Sequence, residues 1–581
     1  MSTALLIILA LLIYFASYWV YGKRISKNLV KVDDSRKTPA VEINDGVDYV
    51  PANKWVLFGH HFASIAGAAP IIGPAIAIAW GWIPAILWIW FGNVFIGMVH
   101  DYLSLMASVR KKGKSIAWIA GELTNKGTGY LFSWFIFLTL ILIVAAFGAV
   151  MGIIFVKEPA VPTAFLLFIV AAVITGLLAY RAKVNFTVAT VIGLVLIVLS
   201  IWIGLSYPIH ASFHTWMIVI LIYIIVAAAL PVWILMQPRD YLNSYILYFG
   251  LAVGGLSLLI IGFTGSGHLV TPGYTTWSAA IVAGKPSPFW PVIPLIIACG
   301  SLSGFHSLVS SGTSSKQLDK ESSGSLIGAG GMLTEGFLST IVVGSIAAFG
   351  LTVLGEHAKT LITSAASFGA HYTGNLKFAG GPVGIFAKSY GRAANAGLGL
   401  PIHAMAVFAG LWVAAFAMTT LDTCNRLGRF TWAEIWAPMK DGAFHDFITS
   451  KWIGSIPTAA VGIWLAWGGA WRVIWPAFGG ANQTLASIAL LTVALWAIKE
   501  LNATTAYKIS VVTPAFFLWI TLTVALIWYL FTAIPVFLHK SVAQGWVIGL
   551  AVVVMLILNG LLLYSFLKAL KKSPQIAANA T

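Results

Sequence analysis

The chain has 581 residues, of which 59% are hydrophobic and 9% are charged. Soluble domains carry about 25% charged residues, so this composition excludes an ordinary soluble protein and predicts an all-α protein that crosses a membrane many times. The formal charge of +16 does not indicate a nucleic-acid partner, because the basic residues lie at the ends of apolar segments, where membrane topology places them.

The first apolar segment, 5–20, has no basic stretch before it and no small-residue cleavage site after it. It therefore predicts a retained helix whose N-terminus lies outside the cell. Apolar windows along the whole chain predict about 15 membrane-spanning helices. Their predicted bounds are 3–21, 58–80, 83–109, 130–156, 161–180, 187–206, 215–238, 241–264, 291–313, 330–354, 401–423, 452–470, 474–498, 513–534 and 544–568.

Basic residues follow every second predicted helix, as in the segments 23–37 and 110–114 and at Lys316. With the N-terminus outside, all of these groups fall on the cytoplasmic side, as the positive-inside rule demands, and so does the C-terminus. Two further segments, 265–290 and 355–400, are expected to be long outside loops.

The second predicted helix, 58–80, reads FGHHFASIAGAAPIIGPAIAIAW. Proline removes a backbone donor and blocks the preceding turn, so Pro70 and Pro74, together with Gly67 and Gly73, predict a break near the middle of the helix. Unpaired backbone groups are tolerated inside a bilayer only where protein or water satisfies them. Transporters use such discontinuous helices to bind substrate.

Predicted helices 2–6 and 7–11 form two blocks of five, and an odd block length makes the second block enter the membrane from the opposite side. The sequence therefore predicts an inverted repeat, with a weaker break at Pro231 at the start of the second block. The predicted divisions are an N-terminal helix and cytoplasmic loop, the first repeat, the second repeat and additional C-terminal helices, over residues 1–52, 53–210, 211–430 and 431–581.

Several long motifs occur in order along the chain. They are the 58–80 stretch, QPRDYLNSYIL (237–247), ACGSLSGFHSLVSSGTSSKQL (298–318), TTLDTCNRLGRF (419–430) and IWPAFGGANQTLA (474–486). Together they resemble the signature of the carbon starvation protein CstA family. The resemblance implies a LeuT-like five-plus-five fold of the APC superfamily. It also implies a symporter of the bacterial plasma membrane that imports small peptides or small carboxylates such as pyruvate, with no cofactor.

Small residues in the second helix let a ligand approach the backbone, and the N–H groups that begin a half-helix attract an anion. The predicted substrate-binding residues lie around the two expected breaks: Ser64, Gly67, Ala68, Ala69, Gly73, Ala229, Pro231 and Trp233. The alternative interpretation is that small residues only let helices pack closely.

Ionisable side chains inside membrane helices are costly and are usually functional or paired. Seven such residues are expected to serve coupling or gating: His60, His61, His100, Asp101, His306, Glu335 and Asp422. Histidine changes charge near neutral pH, so the hypothesis is a titrating network that includes His61, Asp101 and His306, with a proton as the coupling ion. The alternative is a gate of satisfied hydrogen bonds with Arg239 and Arg426 as counter-charges.

Hydroxyl groups in the ninth helix offer an alternative site, for sodium as the coupling ion, at Ser310, Ser311, Thr313 and Ser314. Such hydroxyls also bond the carbonyl four residues back, which is the competing interpretation. A transition metal held by His61 and His306 is a further alternative, and no i, i+4 histidine pair supports it. A channel is disfavoured because no ring of charges is visible, and an enzyme because HExxH, GxSxG and phosphate-loop motifs are absent. The expected partners are a small substrate, a coupling ion and the lipid bilayer.

Overall fold

The structure is a computed structural model that describes residues 1–46, 48–182, 184–230, 235–439, 442–468, 471–539 and 542–571. Helices make up nearly all of the described chain. Up to residue 263 they are α1 (Thr3–Ala16), α2 (Pro39–Ile43), α3 (Lys54–Ala66), α4 (Ala69–Ala77), α5 (Trp82–Gly92), α6 (Met98–Arg110), α7 (Ile116–Leu123), α8 (Lys126–Lys157), α9 (Ala160–Gly176), α10 (Phe186–Ser206), α11 (Phe213–Ala229) and α12 (Met236–Phe263).

A short antiparallel hairpin, β1 (Ser278–Ala280) and β2 (Pro286–Pro288), is the one departure from the all-α prediction within the described residues. The elements that follow are α13 (Phe289–Ile296), α14 (Gly304–Gly312), α15 (Gly331–Leu354), α16 (Glu356–Leu361), α17 (Ala365–Ala379), α18 (Gly381–Leu398), α19 (Ile402–Trp436), α20 (Ala443–Thr449), α21 (Ile456–Ala466), α22 (Trp471–Lys499), α23 (Thr505–Thr532), α24 (Ile534–Leu538) and α25 (Val542–Lys571).

Ten of the described helical segments are long and apolar enough to cross a membrane, and one bent pair raises that number to 11. Three shorter apolar helices, Ala160–Gly176, Phe213–Ala229 and Ile453–Ala466, coincide with predicted helices 5, 7 and 12. The chain is thus a multi-pass membrane protein. The total of about 15 crossings stays a prediction, because it also counts these shorter helices and the segment 291–313, which no helix in either set covers.

The predicted break in the second helix is confirmed. Helix α3 ends at Ala66, α4 begins at Ala69, and the two are bent by 44°. The turn is made by Gly67, whose φ of +44° favours a residue without a side chain. Pro70 lies in the first turn of α4, where no intrahelical donor is lost, and Pro74 is accommodated inside α4.

The prediction of one continuous ninth helix over 291–313 is wrong. Helix α13 ends at Ile296, α14 begins at Gly304, and Gly300 between them has a φ of +84°. This is a second interrupted helix, in a segment where the sequence predicted none. The weaker break that the sequence placed at Pro231 lies outside the described residues.

The predicted outside loop over 355–400 is also wrong, because α16, α17 and α18 fill it. Helix α18 packs into the protein rather than lying over its surface. Its Tyr390 hydroxyl donates to the Gly250 carbonyl of α12 at 2.9 Å, and the Phe386 ring lies 6.2 Å from the Trp412 ring of α19. Aromatic side chains four residues apart lie on one face of a helix, and here that face joins the core.

The two interrupted helices meet at the centre of the protein. A Cβ atom on Gly73 of α4 would lie 2.6 Å from the Ile296 carbonyl oxygen, so the two backbones touch at this point. The carbonyl of Pro70 accepts a hydrogen bond from the Ser339 hydroxyl of α15 at 2.8 Å. All residues from 61 to 81 are buried, so this predicted span faces protein rather than lipid.

We expect Gly73→Ala to lower the thermal unfolding midpoint of the purified protein in detergent. The added methyl group meets backbone atoms that cannot rotate away, and such overpacking costs about 1–3 kcal/mol. The matched control is Gly374→Ala in α17, where a Cβ meets nothing within 4 Å. A midpoint for Gly73→Ala at or above that of Gly374→Ala would contradict the close crossing of α4 and α13.

Candidate functional site

The break between α13 and α14 leaves a row of backbone carbonyls without helical partners, and side chains from neighbouring elements supply donors. Four carbonyls, those of Ile296, Ala298, Gly300 and Leu302, receive bonds from Trp475 (3.1 Å), Asn482 (2.7 Å), Asn93 (2.8 Å) and Gln483 (2.9 Å), respectively. An unsatisfied carbonyl inside a bilayer costs several kcal/mol, so these donors make the interruption possible.

Asn482 of α22 satisfies the break from both ends. Its amide nitrogen donates to the Ala298 carbonyl, and its amide oxygen accepts the Phe305 N–H at the start of α14 at 2.8 Å. The sequence analysis placed the motif that contains Asn482 in the additional helices beyond the five-plus-five core. In the structure α22 lies against the break, so this motif belongs to the centre of the protein.

Six of the seven predicted coupling residues fall into two groups. The first, which we call the His306 cluster, consists of His100, Asp101, Cys299, His306 and Glu335. Asp101 accepts from both histidines, with distances of 2.7 Å to His100 Nδ1 and 2.7 Å to His306 Nδ1. The other ring nitrogen of His306 lies 3.2 Å from Cys299 Sγ and 3.6 Å from Glu335 Oε2. Every side chain in the cluster is buried.

The second group, the Arg239 cluster, consists of His60, Tyr223, Arg239, Asp240 and Asp422. The Arg239 guanidinium donates to Asp422 and, at 2.7 Å, to Asp240 Oδ1. Asp240 Oδ2 lies 3.1 Å from His60 Nδ1, and the Tyr223 hydroxyl donates to Asp422 at 3.1 Å. The Arg239 guanidinium thus links α12 to α11 and α19, and Asp240 extends the cluster to His60 of α3.

His61 belongs to neither cluster through a direct hydrogen bond. Its Nδ1 lies 2.7 Å from the Ser314 hydroxyl, while its neighbour His60 faces Asp240. Adjacent residues on a helix point about 100° apart, so the two histidines serve different partners. Of the three residues hypothesised to form one network, Asp101 and His306 are hydrogen-bonded to each other, whereas His61 pairs with Ser314; that the three titrate together stays a prediction.

The hydroxyls proposed for sodium are largely engaged by the protein. Ser311 donates to the Ser307 carbonyl at 2.7 Å and Thr313 to the Val309 carbonyl at 2.9 Å. Ser314 pairs with His61, whereas the Ser310 hydroxyl has no partner among the described residues. These contacts agree with the alternative that hydroxyls bond the carbonyl four residues back.

An open cavity lies next to the Arg239 cluster. Its polar lining comprises His60, Thr313, Lys316, Gln317, Thr423 and Arg426, together with Asp48 at the rim. Burial lowers the pKa of the Lys316 ammonium below its ordinary value.

Arg426 donates to the Ala227 carbonyl at 3.1 Å, near the end of α11, so its role here is to cap a helix rather than to balance Asp422.

The predicted substrate residues occupy different places. Ala68 and Ala69 lie at the break between α3 and α4, whereas Gly73 contacts the α13 backbone and fits the packing alternative. Ser64 donates to the His60 carbonyl within α3, and Ala229 ends α11. Pro231 and Trp233 lie outside the described residues. The substrate site itself stays a prediction.

Sequence reasoning missed two residues that the structure makes central, Asp240 and Cys299, whereas Asn482 was expected to stabilise helix–helix contacts and does so at the break. Asp240 directly follows Arg239 in the 237–247 motif, and Cys299 lies with His306 in the 298–318 motif. Both residues therefore lie in motifs that the sequence analysis names. Asn482 carried a visible signal as an amide inside an apolar span.

Three side chains of the His306 cluster can hold a metal ion. Cys299, His306 and Glu335 offer three ligand atoms within 4.8 Å of one another, and His61 is not part of that group.

Comparison with known proteins identifies relatives of this chain. The family model of carbon starvation protein CstA matches residues 2–526. A peptide transporter CstA of Bacillus subtilis is 29% identical over 98% of this chain and 97% of its own length. A pyruvate/proton symporter BtsT of Escherichia coli is 32% identical over 92% of this chain and 82% of its own length.

The interrupted helices and these relatives define a membrane transporter rather than an enzyme. The chain belongs to the carbon starvation protein CstA family. Among solved structures, a manganese transporter of Eremococcus coleocola aligns with a TM-score of 0.46 at 12% identity, covering 91% of this chain and 99% of that chain.

We expect Asn482→Ala to lower both the thermal unfolding midpoint and the transport rate. The change leaves the Ala298 carbonyl and the Phe305 N–H unpaired, and each buried unsatisfied group costs about 1–3 kcal/mol. Thr484→Val is the matched control on α22, because its hydroxyl bonds only the Gly480 carbonyl of its own helix, at 2.8 Å. Equal midpoints for the two variants would show that Asn482 does not hold the break.

Proposed function

We propose that this protein is a secondary active transporter that imports small carboxylates such as pyruvate, or small peptides, and couples their uptake to protons. The observation that carries the proposal is the meeting of two interrupted helices at the centre of a chain whose relatives are transporters. Discontinuous helices near the bilayer midplane are where transporters of this type bind substrate and ions.

The substrate carboxylate is placed at residues 67–69, where α4 begins. Helix α4 begins at Ala69 and has no side-chain hydrogen bond to cap it, whereas the Phe305 N–H near the start of α14 is bonded by Asn482. Pro70 has no N–H and the N–H groups of Ile71 and Ile72 bond the Ala68 carbonyl, so the Ala69 N–H and the helix dipole are what would favour an anion here. This contrast between the two breaks supports α4 as the end that receives the substrate.

Coupling is assigned to the Arg239 cluster, because His60 connects it to the cavity. The His60 side chain is 14% exposed, whereas those of Arg239, Asp240 and Asp422 are fully buried. Two carboxylates face one guanidinium, so the cluster carries one excess negative charge that a proton on His60 would balance. The other charged groups that face this region are Asp48, Lys316 and Arg426.

Protonation would also act on the helices that the cluster joins. His60 lies on α3, Arg239 on α12 and Asp422 on α19, so a change in charge alters the contact among three helices beside the break. A contact among helices can gate access to a site when two arrangements of the helices differ in free energy by a few kcal/mol. The sodium alternative at Ser310–Ser314 has less support, since three of its four hydroxyls already have protein partners.

The inverted repeat is retained in the proposal, with different bounds. The observed interrupted helices are α3/α4 and α13/α14, and they support a second half that begins near residue 289 rather than 211. The first half then comprises α3/α4, α5–α6, α8, α11 and α12. The second half comprises α13/α14, α15, α19, α21 and α22. The packing of two helices outside these sets supports the division. Helix α7 packs on α8 of the first half and α22 of the second, and α18 correspondingly packs on α19 of the second half and α12 of the first.

The orientation keeps the N-terminus outside and the cavity open to the cytoplasm of a bacterial cell. The basic ends of predicted helices 3 and 9 lie together in support of this topology. Ser108, near the end of α6, donates to the Ser315 hydroxyl at 2.9 Å, and Lys316 follows directly. Two basic ends on one side agree with the positive-inside rule.

Uptake by purified protein in liposomes tests the proposal. We expect an inward proton gradient to drive accumulation of labelled pyruvate or of a small peptide, and a protonophore to abolish it. In His60→Gln the gradient should no longer raise uptake, whereas exchange of internal for external substrate should persist, because exchange needs no net proton movement. The matched control is His371→Gln, an exposed histidine of α17.

Persistence of exchange in His60→Gln shows that the variant is folded, so loss of gradient response then reports coupling alone. An unchanged response to the proton gradient would remove His60 from coupling. A response to a sodium gradient in place of a proton gradient would favour the Ser310–Ser314 site.

A further inference from the structure

The His306 cluster contains three side chains whose arrangement the transport proposal leaves unexplained. Cys299 lies in the break after α13, His306 on α14 and Glu335 on α15. One ligand atom from each lies within 4.8 Å of the other two, and all three side chains are buried. A thiol, an imidazole and a carboxylate are the three side-chain types that bind transition metals most readily.

The separations fit a shared ion. Metal–ligand bonds of about 2.0–2.3 Å in tetrahedral geometry place neighbouring ligand atoms about 3.3–3.6 Å apart. The His306 ring nitrogen Nε2 lies 3.2 Å from Cys299 Sγ and 3.6 Å from Glu335 Oε2. The third pair, Cys299 Sγ and a Glu335 carboxylate oxygen, lies within 4.8 Å, and the three side chains would close around an ion by drawing together.

The surroundings of His306 orient it for this role. Asp101 Oδ2 lies 2.7 Å from His306 Nδ1, and His100 Nδ1 lies 2.7 Å from the other carboxylate oxygen of Asp101. Histidines that bind metals donate the remote ring N–H to a carboxylate in this manner, which fixes the tautomer and frees the other nitrogen. Here the freed nitrogen is Nε2, which faces Cys299 and Glu335.

The charge of the cluster calls for a cation. Neither carboxylate oxygen of Glu335 has a hydrogen-bond partner among the described residues, although the side chain is fully buried. A buried carboxylate without donors is expensive unless a proton or a metal ion compensates it. A divalent ion would balance one carboxylate and one thiolate, with the thiol proton released on binding.

We propose that Cys299, His306 and Glu335 bind one divalent transition-metal ion of the Zn²⁺ or Co²⁺ class. The thiolate ligand disfavours Mg²⁺ and Ca²⁺, which prefer oxygen ligands. The ion links the break segment to α14 and α15 and holds the interrupted helix in place. Three protein ligands leave one tetrahedral position for an oxygen ligand from outside the chain. This inference does not rest on the proposed transport function.

Metal analysis of the purified full-length protein tests the inference. After purification without chelators and incubation with Zn²⁺, followed by removal of the free ion, elemental analysis should find about one ion per chain. Replacing Zn²⁺ by Co²⁺ should produce the near-ultraviolet band of a thiolate-to-cobalt bond, a signature that hydrogen bonding alone cannot give.

Two variants locate the site. In Cys299→Ser the thiolate-to-cobalt band should disappear and bound metal should fall at least about tenfold, as ligand loss typically produces. Cys424→Ser is the matched control, because Cys424 is an equally buried thiol that contacts the Leu140 carbonyl and lies outside the cluster. It should retain both the metal and the band.

The wild-type measurement decides the question even if a variant fails to fold. Less than about a tenth of an ion per chain, with no cobalt–thiolate band, would overturn the proposal. The same holds if Cys424→Ser loses the band and Cys299→Ser keeps it. In either case the uncompensated Glu335 would point to a protonated carboxyl beside His306, as the titrating network of the sequence analysis supposed. Neither outcome bears on the uptake assay that tests transport.

Discussion

The structure depends on one constraint: backbone groups released by an interrupted helix must find partners inside the bilayer. At the break between α13 and α14 those partners come from Asn93, Trp475, Asn482 and Gln483. Inside α4 the carbonyl of Pro70 has no helical donor because Pro74 lacks an N–H, and it accepts a hydrogen bond from Ser339 instead. The positions of α15 and α22 follow from this requirement, because each must bring a donor to a particular carbonyl.

Around these breaks the buried charges separate into two clusters with different access to water. The Arg239 cluster reaches the cavity through His60, whereas the His306 cluster is sealed by the helices around it. A group that exchanges protons in every transport cycle needs a standing path to water, whereas a group that holds a bound ion needs access only when the ion enters or leaves. This difference in access is the physical reason for assigning them separate roles.

Some of this could be predicted from the sequence. The break at Gly67 was visible because glycine and proline cluster within one apolar span, and the divergence of His60 and His61 follows from helix geometry. The break at residues 297–303 was missed because small residues such as Gly300 and Ser301 lower the hydropathy of a window only slightly. Helix α18 was missed for the opposite reason, since its glycine, serine and alanine content hides an aromatic face that packs inside the protein.

The partnerships across helices could not be predicted, because they depend on three-dimensional proximity. Nothing in the sequence pairs Asp240 with His60, or Glu335 with Cys299, although each residue stands in a recognisable segment. The repeat and its bounds stay a prediction. Pro231 suggested where a second half begins, whereas the second interrupted helix among the described residues is α13/α14.

The central claim is that the meeting point of the two interrupted helices receives the substrate. A cryo-EM structure of the protein in lipid nanodiscs, determined with and without saturating pyruvate or small peptide, tests it most directly. The account predicts additional density in the substrate-bound map at residues 67–69, where α4 begins, facing the break at 297–303. Substrate density elsewhere in the protein, with both breaks packed as they are here, would contradict it.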